Sequence, residues 1–263
     1  MDHKSRIKIY QKAILIAIPR LLTELDRDPT SITYGSFDRQ YWAWATKDFS
    51  NIDLQRGVYS LTMVYLNNFE GNHYFQNENI LQWIFAGIDF WCRSQHEDGS
   101  FDHMYPNEHS FVGVAFTLFE IALALRELRN ASVAFPEAQE RCWNQSLKQA
   151  ASFLLITDET HGFISNHRGG AACALYLMYL SSGDESYKKR AFYFMQTIRE
   201  KQSSEGWYSE YGGADPGYQT LDTYYQANFY ILSSDQETLE RVRRSIKFLI
   251  YFVHPDGSVG GEY

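Results

Sequence analysis

This sequence is short of several things that would place it in a large functional class. It has only three cysteines, Cys92, Cys142 and Cys173, far apart and in apolar helical contexts. That is neither metal-ligand spacing nor the even count of a disulfide framework, so buried free thiols in a reducing compartment are expected. Basic residues are outnumbered by acidic ones, 24 to 32, for a net charge of −8. A nucleic-acid binder needs a basic surface to displace counterions, and this chain is expected to bind none. No stretch approaches the roughly 18 consecutive apolar residues of a membrane span. The apolar run at 14–18 leads into Pro19-Arg20 with no small-residue cleavage site, so it does not read as a secretion signal. A soluble, cytoplasmic protein with no membrane partner is the expectation. Strand signals are scarce as well, and they cluster in Gly–aromatic turns.

Aromatic residues, in contrast, are abundant at 16% of the chain. They are packing material first and platforms for sugar rings second. With 44% hydrophobic and 21% charged residues, the chain can bury a core and is not disordered.

One pattern organises the sequence: a helix, a polar turn with Gly and an aromatic or aliphatic residue, then another helix. It appears as Gln95-His-Glu-Asp-Gly-Ser-Phe101, His161-Gly-Phe163, Gln202-Ser-Ser-Glu-Gly-Trp207 and His254-Pro-Asp-Gly-Ser-Val259, with Tyr34-Gly-Ser-Phe37 as an earlier copy. The segments between carry apolar residues at three- and four-residue spacing, as in Ile80, Trp83, Ile84, Ile88 and Trp91. Nine helices are predicted, over 4–26, 53–68, 77–95, 109–129, 138–156, 169–181, 184–201, 218–232 and 235–252. Asn77 is placed to cap the third.

The fold class is therefore all-α, as a string of helical hairpins. Such a string stacks as an open solenoid or curls into an (α/α) toroid around a central cavity. Turns rich in aromatics, acids and His favour the toroid, as a single domain over 1–263. Nine helices do not close a six-hairpin ring, and the sequence stops just after a repeat turn. An incomplete ring, the N-terminal part of a longer protein, is the expectation.

The Gln-x-x-x-Gly-aromatic turn is similar to that of terpenoid cyclases, protein prenyltransferases and the (α/α)-toroid polysaccharide lyases and glycosidases. Two segments are more pointed. Asn166-His-Arg-Gly-Gly-Ala-Ala-Cys-Ala-Leu175 resembles the Asn-His motif opening an inner helix in the heparinase II/III-like and alginate-lyase-like toroids. Gly206-Trp-Tyr-Ser-Glu-Tyr-Gly-Gly-Ala-Asp-Pro-Gly-Tyr218 sits where those families carry a Gly-rich turn ending in a catalytic Tyr. The resemblance implies that Asn166 and His167 neutralise a uronate carboxylate while Tyr218, or failing that Tyr211, removes the neighbouring proton.

The chemistry supports such a set independently. A proton beside a carboxylate is weakly acidic, so an enzyme must neutralise the carboxylate with aimed donors and hold a base in reach. Asn166 offers amide donors, His167 a donor or acid, and Arg168 a cation that grips a carboxylate in two places. A tyrosine acts as phenolate where a nearby cation lowers its pKa. Asn166 is equally well placed as a helix cap, and Tyr218 as a packing residue.

Three further groups are candidate substrate-binding residues. Asp38, Arg39, Trp42 and Trp44 form the densest aromatic–polar cluster, with one Trp expected inward and the other facing a cavity. Asp38 and Arg39 read either as an ion pair or as a clamp on sugar hydroxyls or a carboxylate. Glu108 and His109 read as an acid/base pair or a capping segment, and metal binding there is disfavoured for want of ligand spacing. Trp207, Glu210 and Asp215 belong to the Gly206 turn.

The leading functional reading is a carbohydrate-active enzyme, a polysaccharide lyase or uronate epimerase acting on an acidic oligosaccharide or polysaccharide, with no cofactor. A glycoside hydrolase would instead use two carboxylates from Asp38, Glu108, Glu210, Asp215 and Glu262. A saccharide-binding scaffold would keep the aromatics and need no ionisable pair.

Overall fold

Most of the long helices begin where a short polar side chain can accept one of the first free backbone N–H groups. Asp2 accepts from Ser5 ahead of α1 (His3–Glu24), and Asn77 from Asn79 and Ile80 ahead of α4 (Glu78–Arg93). Ser110 does so for α5 (Phe111–Asn130), Asp184 for α8 (Glu185–Lys201), Asp215 for α9 (Pro216–Ser233) and Asp235 for α10 (Gln236–Leu249). The remaining helices are α2 (Arg39–Trp42), α3 (Gly57–Leu66), α6 (Glu137–Ile156) and α7 (Ser165–Ser182). Short 3-10 turns precede α3 and follow α10.

These elements belong to a computed structural model that describes residues 2–259. More than half of the described residues are helical, and extended pairing among them is limited to isolated bridges. The fold is all-α. All nine expected helices are present, with one addition: α2, a single turn inside the aromatic cluster. No helix among the described residues is long and apolar enough to cross a membrane. Glu262 lies outside the described residues.

Two compact units divide the described chain: 2–113 with 120–149, and 114–119 with 150–259. In the first, Trp91 lies tilted over Phe101 at 4.8 Å, and Phe37, Val58, Leu61 and Ile84 fill the core around α3 and α4. Trp143 donates to Asp89 at 2.6 Å. In the second, α7 packs against α8 and α9, and it is buried almost along its whole length. Its small residues allow that. A Cβ at Gly169 would lie 2.5 Å from Asp222 Oδ1, and one at Gly170 would lie 2.6 Å from the Phe116 ring, which stacks on Tyr225 at 4.9 Å.

The repeat turns carry a common hydrogen-bond signature. Around Gly99, His96 N–H donates to the Ser100 carbonyl and Gly99 N–H to the His96 carbonyl, at 2.9 and 3.0 Å. The same two bonds join Ser203, Gly206 and Trp207, and again His254, Gly257 and Ser258. Asp26, Gly35 and Ser36 repeat them with a longer loop between. The Gly162 turn is the exception and is held by side chains.

One expectation about the thiols needs correction. All three are free, but only Cys173 is buried; Cys142 is exposed on α6 and Cys92 is half-buried. Its neighbour Trp143, one residue on around the helix, is the one turned inward.

Candidate active site

The second unit brings the Asn166 and Tyr218 segments together through backbone pairing. Ile164 and Glu210 form an antiparallel bridge, Ser165 N–H donates to the Ser209 carbonyl at 3.2 Å, and Tyr211 N–H to the Phe163 carbonyl at 3.3 Å. Helix α7 starts at Ser165, four residues earlier than the spacing predicts, so Asn166, His167 and Arg168 occupy its first turn. Its N-cap position is Ile164, which has no side-chain oxygen to offer. Glu210 takes over that task from the neighbouring turn. One carboxylate oxygen accepts from the Asn166 N–H and the other from Asn166 Nδ2, both at 2.9 Å.

Asn166 is consequently enclosed, with its amide donating to Glu210 while its Oδ1 is buried without a hydrogen bond. Arg168 is also committed. It pairs with Asp158 at 3.0 Å, stacks over Phe163 at 4.5 Å and is wrapped by the carbonyls of Glu159, Gly162 and Ile164. His167 stands differently: its ring is 12% exposed, its Nδ1 lies 2.5 Å from Glu159 Oε2, and Phe116 meets it edge-on at 5.6 Å. The Glu159 side chain is 3% exposed and holds His161 Nδ1 at 2.8 Å through its other oxygen.

These surroundings set two buried carboxyls far apart in proton affinity. Burial by itself would raise Glu159. Hydrogen bonds from His167 and from the His161 N–H and ring, with the charge on His167, outweigh it and bring the carboxyl down to about 2. Burial dominates at Glu210; helped by the Asp215 charge and opposed by the bonds from Asn166, it pushes that carboxyl up to about 7. Asp222, fully buried on α9, is raised well above the carboxylate range by burial and then by the charge of Glu210.

Tyr211 and Tyr218 sit on the exposed side of this arrangement, their rings 5.8 Å apart. Tyr211 has a left-handed backbone, φ 51°, which a bulky residue adopts only where its surroundings impose it. Burial, then its neighbours Tyr218, Glu159 and Glu210, raise its pKa, so near neutrality Tyr211 is a phenol that donates. Asp215 caps α9 by accepting from the Tyr218 N–H at 3.0 Å, and Trp207 donates to Glu205 at 3.1 Å.

The other candidates belong to the first unit. Trp42 lines an open cleft of about 740 Å³ with Tyr41, Ile32 and Lys47, and its indole N–H donates to the Glu24 carbonyl. Trp44 is exposed, with the Arg39 guanidinium 5.7 Å from its ring centre. Asp38 does not pair with Arg39; it is buried, bonded to Lys47 at 2.5 Å and to the Asn51 N–H at 2.7 Å. Glu108 collects the N–H groups of His103, Met104 and Tyr105, while His109 turns to Asp98 and Ser100, so the two do not face each other as an acid/base pair. Among the described residues no group of three or more His, Cys, Asp or Glu is arranged to hold a metal ion.

Glu159 is the site residue that sequence reasoning misses. Its signal is faint: an Asp-Glu pair just before a His-Gly turn and eight residues ahead of His167. Gln219 is another. It accepts from the Tyr208 N–H at 2.7 Å and donates to the Gly206 carbonyl and to Ser245, fixing the Gly206 turn.

No curated protein matches the sequence. Residues 57–263 match the family of the ulvan lyase N-terminal domain, a stretch that includes every residue of the second-unit site. Matched over more than half of its length, the chain belongs to the ulvan lyase N-terminal domain family.

Proposed function

We propose that the chain cleaves an acidic polysaccharide by β-elimination beside a uronate carboxylate, with ulvan the first substrate to test because the family carries its name. The observation that carries this reading is that Glu159 bonds His167 and its charge also reaches Tyr211, which lies beside Tyr218, while Glu210, a second buried carboxyl of opposed proton affinity, adjoins the same segment. Environments that drive titratable groups apart are what acid/base chemistry near neutrality requires. In the elimination, the proton on C5 leaves, its electron pair forms the C4–C5 double bond, and the C4–O bond breaks. The departing oxygen then needs a proton. His167 and the tyrosine pair divide these two transfers. Asn166, held by Glu210, and Arg168, held by Asp158, fix the helix start and the loop between which His167 is presented.

The test is incubation with ulvan and with other uronate-containing glycans, following the ultraviolet absorbance of an unsaturated uronate. Tyr218→Phe is expected to remove turnover while leaving binding nearly intact, since only the ionisable oxygen is lost. Asn166→Ala should slow the reaction less than Tyr218→Phe does, because it loosens the bond to Glu210 and removes no substrate contact. New reducing ends without the absorbance would favour a hydrolase, and binding without products a scaffold.

A further inference from the structure

The Gly162 turn breaks the repeat signature at the place where ionisable side chains gather. Its loop, 158–164, wraps the Arg168 guanidinium and is drawn inward by it. The result is that Glu159, a residue type that is rarely buried unless paired, is enclosed with one imidazole on each oxygen. A carboxylate accepts only, so the nitrogen of His167 facing it carries the proton. Nδ1 is that nitrogen. Nε2 makes no hydrogen bond among the described residues, and the edge-on Phe116 ring limits rotation of the imidazole.

We propose that Glu159 is the positioning residue of this site: by holding Nδ1–H of His167 it leaves Nε2 as the unprotonated nitrogen that takes the C5 proton of the sugar. This rests on the lyase reading above and makes it specific about the base. The step balances without a co-reactant. Nε2 gains the C5 proton, the C4–C5 double bond forms as the C4–O bond breaks, and the phenol of Tyr211 or Tyr218 protonates the departing oxygen. The imidazolium and phenolate left behind neutralise each other through solvent. Groups facing the imidazole are Glu159 and, through it, His161 on the same loop, and Phe116 on α5; the Glu159 charge also reaches Tyr211 on the Gly206 turn.

Two measurements test the assignment. The first uses the wild-type chain and nitrogen-15 imidazole spectra above the imidazole titration, with the His167 signals identified from their loss in His167→Gln. The Nδ1–H tautomer is expected; the Nε2–H tautomer would overturn the proposal. The second compares wild type with Glu159→Gln on ulvan across pH. The amide removes the negative charge beside the ring, so the acidic limb of kcat/KM should move to lower pH. Loss of the orienting carboxylate should lower kcat on the order of 100-fold or more with little change in KM. A folded Glu159→Gln enzyme with full activity, or one slowed without any movement of the limb, would show that Glu159 is structural only. If the tautomer is as expected and no uronate glycan is cleaved, it is the lyase reading that fails and the imidazole clamp that stands.

Discussion

The Gly206 and Gly162 turns lie 44 residues apart in one unit and read as copies of one repeat. At Gly206 the backbone closes on itself, Gln219 and Gln202 both donate to the Gly206 carbonyl, and the Gly206 Cα rests on the Arg244 carbonyl. The first unit repeats this at Gly35, where Gln55 accepts from the Phe37 N–H and donates to the Gly35 carbonyl. At Gly162 there is no such closure. Arg168, Asp158, Glu159 and two histidines hold that loop by charge and hydrogen bonds. A turn locked by its backbone uses its polar groups on itself, whereas one held by side chains brings ionisable groups to a rim. The first builds the scaffold and the second can carry chemistry.

The largest effect that would break this contrast is steric. Gly206 has φ 107°, and a Cβ there would lie 2.5 Å from the Arg244 carbonyl oxygen. Gly206→Ala therefore meets both backbone strain and a clash with rigid backbone, and it is expected to lose about 3 kcal/mol or more. Gly162 has φ 137° but nothing within 4 Å of a Cβ. Gly162→Ala should show the strain alone, about 1–2 kcal/mol. Urea unfolding of the two variants measures the difference, and equal losses would erase the distinction between the turns.

A second test sharpens the contrast through pH. Glu210 is raised from the ordinary 4.5 to about 7, so the native state holds a proton that the unfolded chain has released. Stability from this group is present at low pH and is lost as pH rises from 4.5 through about 7. Glu159 is lowered to about 2, and its contribution is present above 4.5 and lost as pH falls toward 2. Each is worth on the order of 3 kcal/mol across its window. Glu210→Gln should lessen the slope of the upper window, to which buried Asp222 also contributes, and Glu159→Gln should act on the lower one only, in unfolding free energies taken from about pH 3 to 8. Above about pH 7, Glu210→Gln should be at least as stable as wild type. A Glu210→Gln protein whose slope between 4.5 and about 7 is undiminished would show that Glu210 does not contribute to it.

Local rules account for much of this arrangement. Apolar spacing marks the helices, Asn77 caps where its side chain allows, and the glycines at 35, 99, 206 and 257 take positive φ as their turns demand. Features set by contacts across the fold are hidden. Gln55 lies 18 residues after Phe37 and Gln219 only 11 after Tyr208, so the two equivalent clamps leave no common spacing to detect. The early start of α7 depends on a carboxylate 44 residues away. The sequence motif marks Asn166 and Arg168 as substrate ligands because their types suit an acidic sugar. Their commitment to Glu210 and Asp158 arises only once the loops have folded. Tyr211 and Tyr218 come together for a legible reason, since a Gly-Gly turn and the Asp215-Pro216 helix start reverse the chain between them.

The smallest expected effect asks how far the charged turn depends on its outer member. His161 is 75% exposed, and its ring bonds Glu159 Oε1 at 2.8 Å from the solvent side. A bond whose imidazole partner stands this far in solvent contributes about 0–1 kcal/mol. His161→Ala also leaves in place the backbone N–H that donates to the same oxygen at 2.9 Å. Glu159 therefore keeps an acceptor role on both oxygens, and His167 keeps its orientation. The variant should unfold within about 1 kcal/mol of wild type, and any turnover on ulvan should fall far less than in Glu159→Gln. Unfolding and pH–rate profiles on the two variants side by side make the comparison. If His161→Ala matched Glu159→Gln in both, the carboxylate would depend on two imidazoles together, and the outer histidine would belong to the working site.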